Sequence, residues 1–288
     1  MSNTRIYEKI TDTHSSYTCY DKILKQLEEY DPDVVVSVHP TMNYVPEKVI
    51  REIAKKRGKY IPFFTVVTDF GSGHCTWFQR SVDKMYVASS RIETLAKNRG
   101  RVKDEQLVMT GLPIRDDFAV HAEKMGDRTT EEGKQYRNAI KAELGLSPEK
   151  KVILVMGGGE GVGSLSKITE KLYMELRAKG VDASICVVCG RNEKLRQELE
   201  TKDWDAAVAA MNGQASSKRK RLKNFILRRK STNVSSPTSV EGNVDVVGLG
   251  FVSNMADYMV ASDLLVSKAG PGTIAEAAAV GLPVMMTR

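Results

Sequence analysis

Lys268, Gly270, Pro271, Gly272, Thr273 and Glu276 fall close together near the end of the 288-residue chain. The apolar run Leu264-Leu265-Val266 before them reads as a buried strand. The Ala- and Glu-rich stretch 273–280 after them reads as a helix with Thr273 as its N-cap. Gly270 and Gly272 let the backbone approach a bulky ligand, and the helix start offers unpaired N–H groups and positive dipole. Lys268 adds a formal charge. Such a turn suits a diphosphate, and Glu276, one turn into the helix, can accept hydrogen bonds from two adjacent hydroxyls such as those of a ribose.

A strand, a Gly-Pro turn and a helix are common in α/β proteins, so the segment alone is weak evidence. A second glycine-rich turn strengthens it. Gly157-Gly158-Gly159-Glu160-Gly161 follows the apolar run 152–156 and again aims backbone N–H groups at an anion. Its spacing is not that of a P-loop, because no Gly-Lys-Ser/Thr follows. Other reactive side chains also stand just after apolar runs: His39 after 34–38, Asp69, His74, Trp77 and Phe78 after 63–68, and Arg191 after 184–189. Singly, each is as well explained as a loop, capping or salt-bridging residue.

The elements that must position these groups alternate. The spacing predicts helices over 20–30, 46–56, 91–98, 134–144, 164–178, 193–200 and 253–261. Buried strands are expected over 34–38, 63–68, 85–88, 107–110, 152–156, 184–189, 244–248 and 264–267. Such alternation implies parallel sheets, whose ligands collect at the carboxyl ends of strands. The composition turns polar from 120 to 130, which places a linker with its own helix at 121–148 between domains 1–120 and 149–288.

The chain carries a net charge of +7, with 43 basic and 36 acidic side chains. Eight of the basic residues and one acidic residue lie in 206–243, so the remainder is balanced. The basicity belongs to one segment and argues against a broad nucleic-acid surface. That segment is poor in core-forming residues and reads as a disordered insertion. Within it, Lys218 to Lys230 can form a basic amphipathic helix around Leu222, Phe225, Ile226 and Leu227, suited to an anionic membrane surface, or remain a solvated loop. No run of about eighteen apolar residues suggests a membrane-spanning helix. Cys186-Val187-Val188-Cys189 has metal-ligand spacing but lies in an apolar strand without a second pair, so the two are read as core residues and no metal is expected.

Taken together, Ser37-Val38-His39-Pro40, Thr68-Asp69 with His74-x-Thr76-Trp77-Phe78, Gly111-Leu112-Pro113-Ile114-Arg115, Met156 to Gly161, Cys189-Gly190-Arg191-Asn192, Gly250-Phe251 and Lys268 to Glu276 resemble the monogalactosyldiacylglycerol synthases. The resemblance covers most of the chain apart from its ends and 206–243. It implies an α/β protein of two Rossmann-like domains facing across a cleft, the GT-B arrangement. The implied activity is inverting transfer of galactose from UDP-galactose to diacylglycerol at plastid envelope membranes, with peripheral attachment and no cofactor or metal.

On this resemblance, Gly157 to Gly161 and Gly270 to Thr273 would hold the diphosphate beside Lys268. Arg191 and Phe251 would frame the uridine end, and Glu276 the ribose. His39, Asp69, His74, Trp77 and Phe78 would face acceptor and membrane. Trp77 and Phe78 suit headgroup level, with core packing as the rival account. The family's Gly-rich loop ending in a presumed base histidine has no counterpart here, nor does its segment beyond Gly281-Leu282-Pro283, so both ends are expected to be missing. The catalytic base is therefore unassigned, with His39 and Asp69 as candidates. Two alternatives are a related UDP-sugar-dependent lipid glycosyltransferase with another donor or acceptor, and a catalytically incomplete nucleotide-binding or membrane-docking subunit.

Overall fold

Short runs of β-branched residues alternating with amphipathic helices build two separate parallel sheets. The computed structural model describes residues 5–157, 162–207, 241–268 and 270–287. By packing, the chain divides into Met1–Ile114 and Arg115–Arg288.

The first unit runs α1 (Arg5–Tyr30), β1 (Val35–Ser37), α2 (Tyr44–Arg57), β2 (Phe63–Val66), β3 (Lys84–Val87), α3 (Ser90–Leu95) and β4 (Leu107–Met109). Its strands lie in the order β1-β2-β3-β4, all parallel. Ile50 and Ile53 of α2, Ile92 of α3, and Phe63 and Met85 of the sheet form a core to which Ile23, Leu24 and Leu27 of α1 add their side chains. Helix α1 begins well before the predicted 20–30, and those three residues mark the part of it that packs.

The second unit contains α4 (Asp116–Met125), α5 (Glu131–Glu143), β5 (Lys151–Met156), α6 (Val162–Ala178), β6 (Ala183–Val188) and α7 (Glu193–Thr201). It continues with β7 (Val244–Leu249), α8 (Met255–Ala261), β8 (Leu264–Ser267), α9 (Pro271–Ala279) and β9 (Val284–Met286). The sheet order is β7-β6-β5-β8-β9, again all parallel. Within it, Cys186 is fully buried and Cys189 nearly so. Burial pushes their thiols up to about 12 and about 11. Three positions apart on an extended chain, the two side chains leave opposite faces.

The stretch 121–148 differs from the expected linker. It holds the end of α4 and all of α5, and both helices pack against α8 as part of the second unit. The division falls at Ile114/Arg115 because α4 begins at once, with Asp116 and Asp117 in its first turn and Phe118 and Met125 buried. A polar outer face hid that helix from a reading by composition. Of the insertion placed at 206–243, residues 208–240, including Lys218 to Lys230, lie outside the described residues.

Two arginines hold α4 and α5 to the rest of the unit. Arg128 donates to the carbonyls of Val280 at 2.8 Å and Val260 at 3.4 Å, and to that of Ser262. Arg137 donates to Val260 and Ser262, each at 3.1 Å, and to Asp263 Oδ1 at 2.8 Å. These carbonyls belong to the carboxyl ends of α8 and α9, which lack helical partners and carry the negative end of the dipole. Asp263 also accepts the Val152 N–H at 2.9 Å. Burial pushes its carboxyl up, but Arg137, the Val152 N–H and Lys141 outweigh that and leave its pKa lowered.

A carboxyl with a lowered native pKa contributes stability that is present above its unfolded value, about 3.9, and lost as pH falls through the native value. Urea unfolding from pH 5 to pH 2 is therefore expected to show a steeper acid loss in the wild type than in Asp263→Asn. The variant starts less stable at neutral pH.

Candidate functional site

Strand order reverses direction at β5: β6 and β7 lie on one side of it, β8 and β9 on the other. In open parallel sheets such a reversal leaves a crevice at the carboxyl ends, where the two outgoing turns diverge. Strands β5 and β8 bound that crevice and finish together, with Val155 opposite Val266 and Met156 opposite Ser267. The turns beginning at Gly157 and Lys268 thus start side by side, one strand spacing or about 5 Å apart. Gly158, Gly159, Glu160 and Gly161 lie outside the described residues.

Gly157 lies close against α6: a Cβ there would stand 2.9 Å from Leu165 Cδ1, so a larger residue would have to displace that leucine side chain. Gly272 is different: an added Cβ would meet nothing within 4 Å, and its φ is not left-handed. No neighbour in the described chain demands glycine at 272, and the space over that backbone is open.

Helix α9 starts earlier than expected. Its N-cap is Gly270, without a side-chain cap, and Pro271 occupies the first turn; Thr273 lies inside the helix. The first intrahelical bond runs from Ile274 N to Gly270 O at 3.1 Å. Pro271 has no N–H, so the N–H groups of Gly272 and Thr273 point out of the helix start without a helical partner. Proline is a favoured first residue, and sequence reasoning that looked for a hydroxyl cap passed over it.

Lys268 is exposed beside this helix start. Arg191 follows β6 after Gly190, whose φ of 60° favours glycine. It is exposed, and its guanidinium has no ion-pair partner among the described residues. Phe251 follows β7 and is 79% exposed. All described donor-side candidates therefore stand at one edge of one sheet, with Phe251 on the strand about 10 Å from β5. Glu276 is engaged rather than open: Arg115 donates Nε to Oε1 at 2.8 Å and Nη2 to Oε2 at 2.9 Å.

In the first unit, His39 and His74 head two matching turns after β1 and β2. His39 Nδ1 lies 3.0 Å from Thr41 Oγ1 and accepts the Thr41 N–H at 3.4 Å. His74 Nδ1 lies 2.8 Å from Thr76 Oγ1 and accepts the Thr76 N–H at 3.4 Å. In each turn the ring nitrogen nearest the backbone caps a short helical turn, which fixes the plane of the imidazole. Asp69 Oδ2 accepts the Trp77 Nε1–H at 2.8 Å and the His74 N–H at 3.3 Å, so that carboxylate holds the second turn together.

Trp77 and Phe78 correct an expectation. They are 1% and 4% exposed and belong to the core of the first unit, which removes them from headgroup level. Gly73 packs against the Phe78 ring: a Cβ there would stand 2.7 Å from Phe78 Cζ.

Asn43 was missed. Fully buried, it donates Nδ2 to Pro40 O at 3.1 Å and Thr76 O at 3.2 Å, and accepts from Thr65 Oγ1 at 2.9 Å. It ties the His39 turn to the His74 turn. The available signal was an Asn directly between a turn and a helix start. Asn43→Ala leaves a buried hydroxyl and two carbonyls without their partner, and denaturant unfolding is expected to show a loss of about 2–4 kcal/mol.

Comparison with known proteins adds sequence evidence to this geometry. Residues 1–114 match the family model described as monogalactosyldiacylglycerol (MGDG) synthase. Residues 152–287 match the glycosyltransferase family 28 C-terminal domain. A probable monogalactosyldiacylglycerol synthase, chloroplastic, of Nicotiana tabacum is 31% identical over 92% of this chain. Monogalactosyldiacylglycerol synthase 1, chloroplastic, of Arabidopsis thaliana is 30% identical over 92% of it. The chain spans 40% of the length of each. Among solved structures, a putative UDP-N-acetylglucosamine 2-epimerase from Listeria monocytogenes has a TM-score of 0.51 at 14% identity, covering 95% of this chain and 62% of that one, and supports the fold alone. Two parallel α/β units in succession, the second with a glycosyltransferase family 28 C-terminal domain, are the make-up of the GT-B class.

Proposed function

We propose, from its similarity to the monogalactosyldiacylglycerol synthases, that the chain is part of an inverting transferase moving galactose from UDP-galactose to diacylglycerol. The observation that carries this reading is the meeting of Gly157, Lys268 and the uncapped start of α9 at the β5/β8 switch point.

Inverting transfer breaks the bond between the anomeric carbon and the UDP oxygen as the acceptor hydroxyl attacks from the opposite face. The departing diphosphate gains negative charge, and fixed donors and cations aimed at it lower the barrier. The N–H groups of Gly272 and Thr273, with Lys268 and Arg191, fill that role without a metal. Phe251 offers an exposed ring for the uracil face, and Glu276 accepts from the ribose. A base must also take the acceptor proton. That group is unassigned in this chain, with His39 and Asp69 as its candidates.

The acceptor side falls to the first unit, around His39 and His74. Peripheral attachment at the plastid envelope belongs to the same reading, supported by the chloroplastic relatives. Basic residues 218–230 are proposed to add attraction to anionic lipid. Among the described residues no helix is long and apolar enough to cross a membrane.

The test is transfer by the full-length protein. Radiolabelled UDP-galactose and diacylglycerol should give monogalactosyldiacylglycerol, and a panel with UDP-glucose and UDP-N-acetylglucosamine should give less product. Faster transfer from either of those donors, or no lipid product at all, overturns the assignment.

A further inference from the structure

Glu276 sits on α9 with its side chain 13% exposed, whereas its partner Arg115 is 53% exposed. Arg115 is the N-cap residue of α4, and its guanidinium lies 5.0 Å from the centre of the Phe118 ring one turn further on. The arginine is therefore anchored at both ends of its side chain. Its backbone is fixed by the helix start, and its head by a ring below and a carboxylate in front.

The fork is side-on, one N–H to each oxygen. A carboxylate presents about four lone-pair sites, and the fork takes one on each oxygen. Among the described residues no other donor reaches Glu276, which leaves one site per oxygen, the number that two neighbouring hydroxyls require. A lone glutamate on a helix surface has several rotamers to lose on binding, whereas one held by a planar fork has already lost them.

We propose that Arg115 is a positioning residue for nucleoside recognition: it locks the plane and rotamer of Glu276 so that the remaining lone pairs meet the two ribose hydroxyls of a ribonucleoside diphosphate. The proposal rests on the reading of Glu276 as the ribose acceptor. It adds that discrimination between ribose and deoxyribose depends on a residue that need not touch the nucleotide. Neither the glycine-rich turn nor Lys268 enters it, so the diphosphate subsite should be indifferent to Arg115.

Calorimetric titration of the purified chain with UDP, 2′-deoxy-UDP and pyrophosphate tests this in wild type, R115M, R115K, E276Q and the R115M/E276Q double variant. The wild type should prefer UDP over 2′-deoxy-UDP about tenfold or more, the worth of a hydrogen bond to a charged acceptor. R115M should lose most of that preference and weaken 2′-deoxy-UDP only by the share owed to its remaining 3′-hydroxyl, while its affinity for pyrophosphate moves less than about twofold. R115K should keep part of it, and R115M should add nothing in the E276Q background. R115Q replaces R115M if the latter loses its thermal unfolding transition.

A wild type indifferent to the 2′-hydroxyl overturns the ribose role of Glu276 itself. Preference retained in R115M, or UDP bound more tightly than by wild type, overturns the role of Arg115 alone. The last result would mark the pair as a latch that the nucleotide must displace.

Discussion

Gly272→Val is expected to weaken UDP binding by about a hundredfold while leaving the thermal midpoint within about 2 °C of wild type. The expectation follows from the open space over Gly272, where an added Cβ meets nothing within 4 Å. Its backbone is helical with no left-handed φ, so valine costs the fold only its modest helix propensity. A diphosphate held by the Gly272 and Thr273 N–H groups at about 2.9 Å, in contrast, needs the volume a branched side chain would fill. Two effects that usually travel together are thus separated. Calorimetry with UDP and a thermal melt on the same sample give the result. Unchanged UDP affinity would remove the start of α9 from the binding site. A collapse of the melt would show that glycine is there for the fold.

Replacing Arg128 by methionine should produce the largest stability loss in the second unit, about 3–5 kcal/mol, with a fall in melting temperature of roughly 8–15 °C. Arg128 is 8% exposed, and burial first, then Arg137 nearby, push its pKa down to about 10. That penalty is offset by three carbonyl acceptors at the ends of α8 and α9. Methionine matches the length of the aliphatic stem but leaves the Val280 carbonyl without its partner, and the Val260 and Ser262 carbonyls with Arg137 alone. Lysine restores the charge without the planar fork that spans them, so Arg128→Lys should recover less than half of the loss. Circular dichroism melts of the three proteins decide the matter; a methionine variant as stable as wild type would show that the carbonyls are satisfied by water instead.

The parallel sheets and the carboxyl-end location of the candidate residues were legible because alternation and strand chemistry leave strong local marks. Strand 264–267 is one such case, since its apolar run is short, continuous and bounded by polar turns. Four features were not legible, each for a physical reason. Helix α4 shows a polar outer face, and only Phe118 and Met125 reveal its inner one. The start of α9 is set by proline at the first helical position, a signal of missing N–H rather than of a capping hydroxyl. Trp77 was ambiguous because indole suits a membrane interface and a core alike; its N–H found Asp69 and settled inside. Most opaque was Arg115 with Glu276, a pair 161 positions apart whose meeting only the packing of α4 against α9 creates.

The strand order also decides where this protein can change length without cost to its chemistry. The sequence from 208 to 240 enters between α7 and β7, and β7 is an outermost strand, two places from the β5/β8 pair. Additions or deletions there load the margin of the sheet, whereas the same change after β5 or β8 would fall at the switch point itself. Divergence within this lineage should therefore accumulate in that peripheral segment, and a tag or reporter spliced into it should leave UDP affinity as it was.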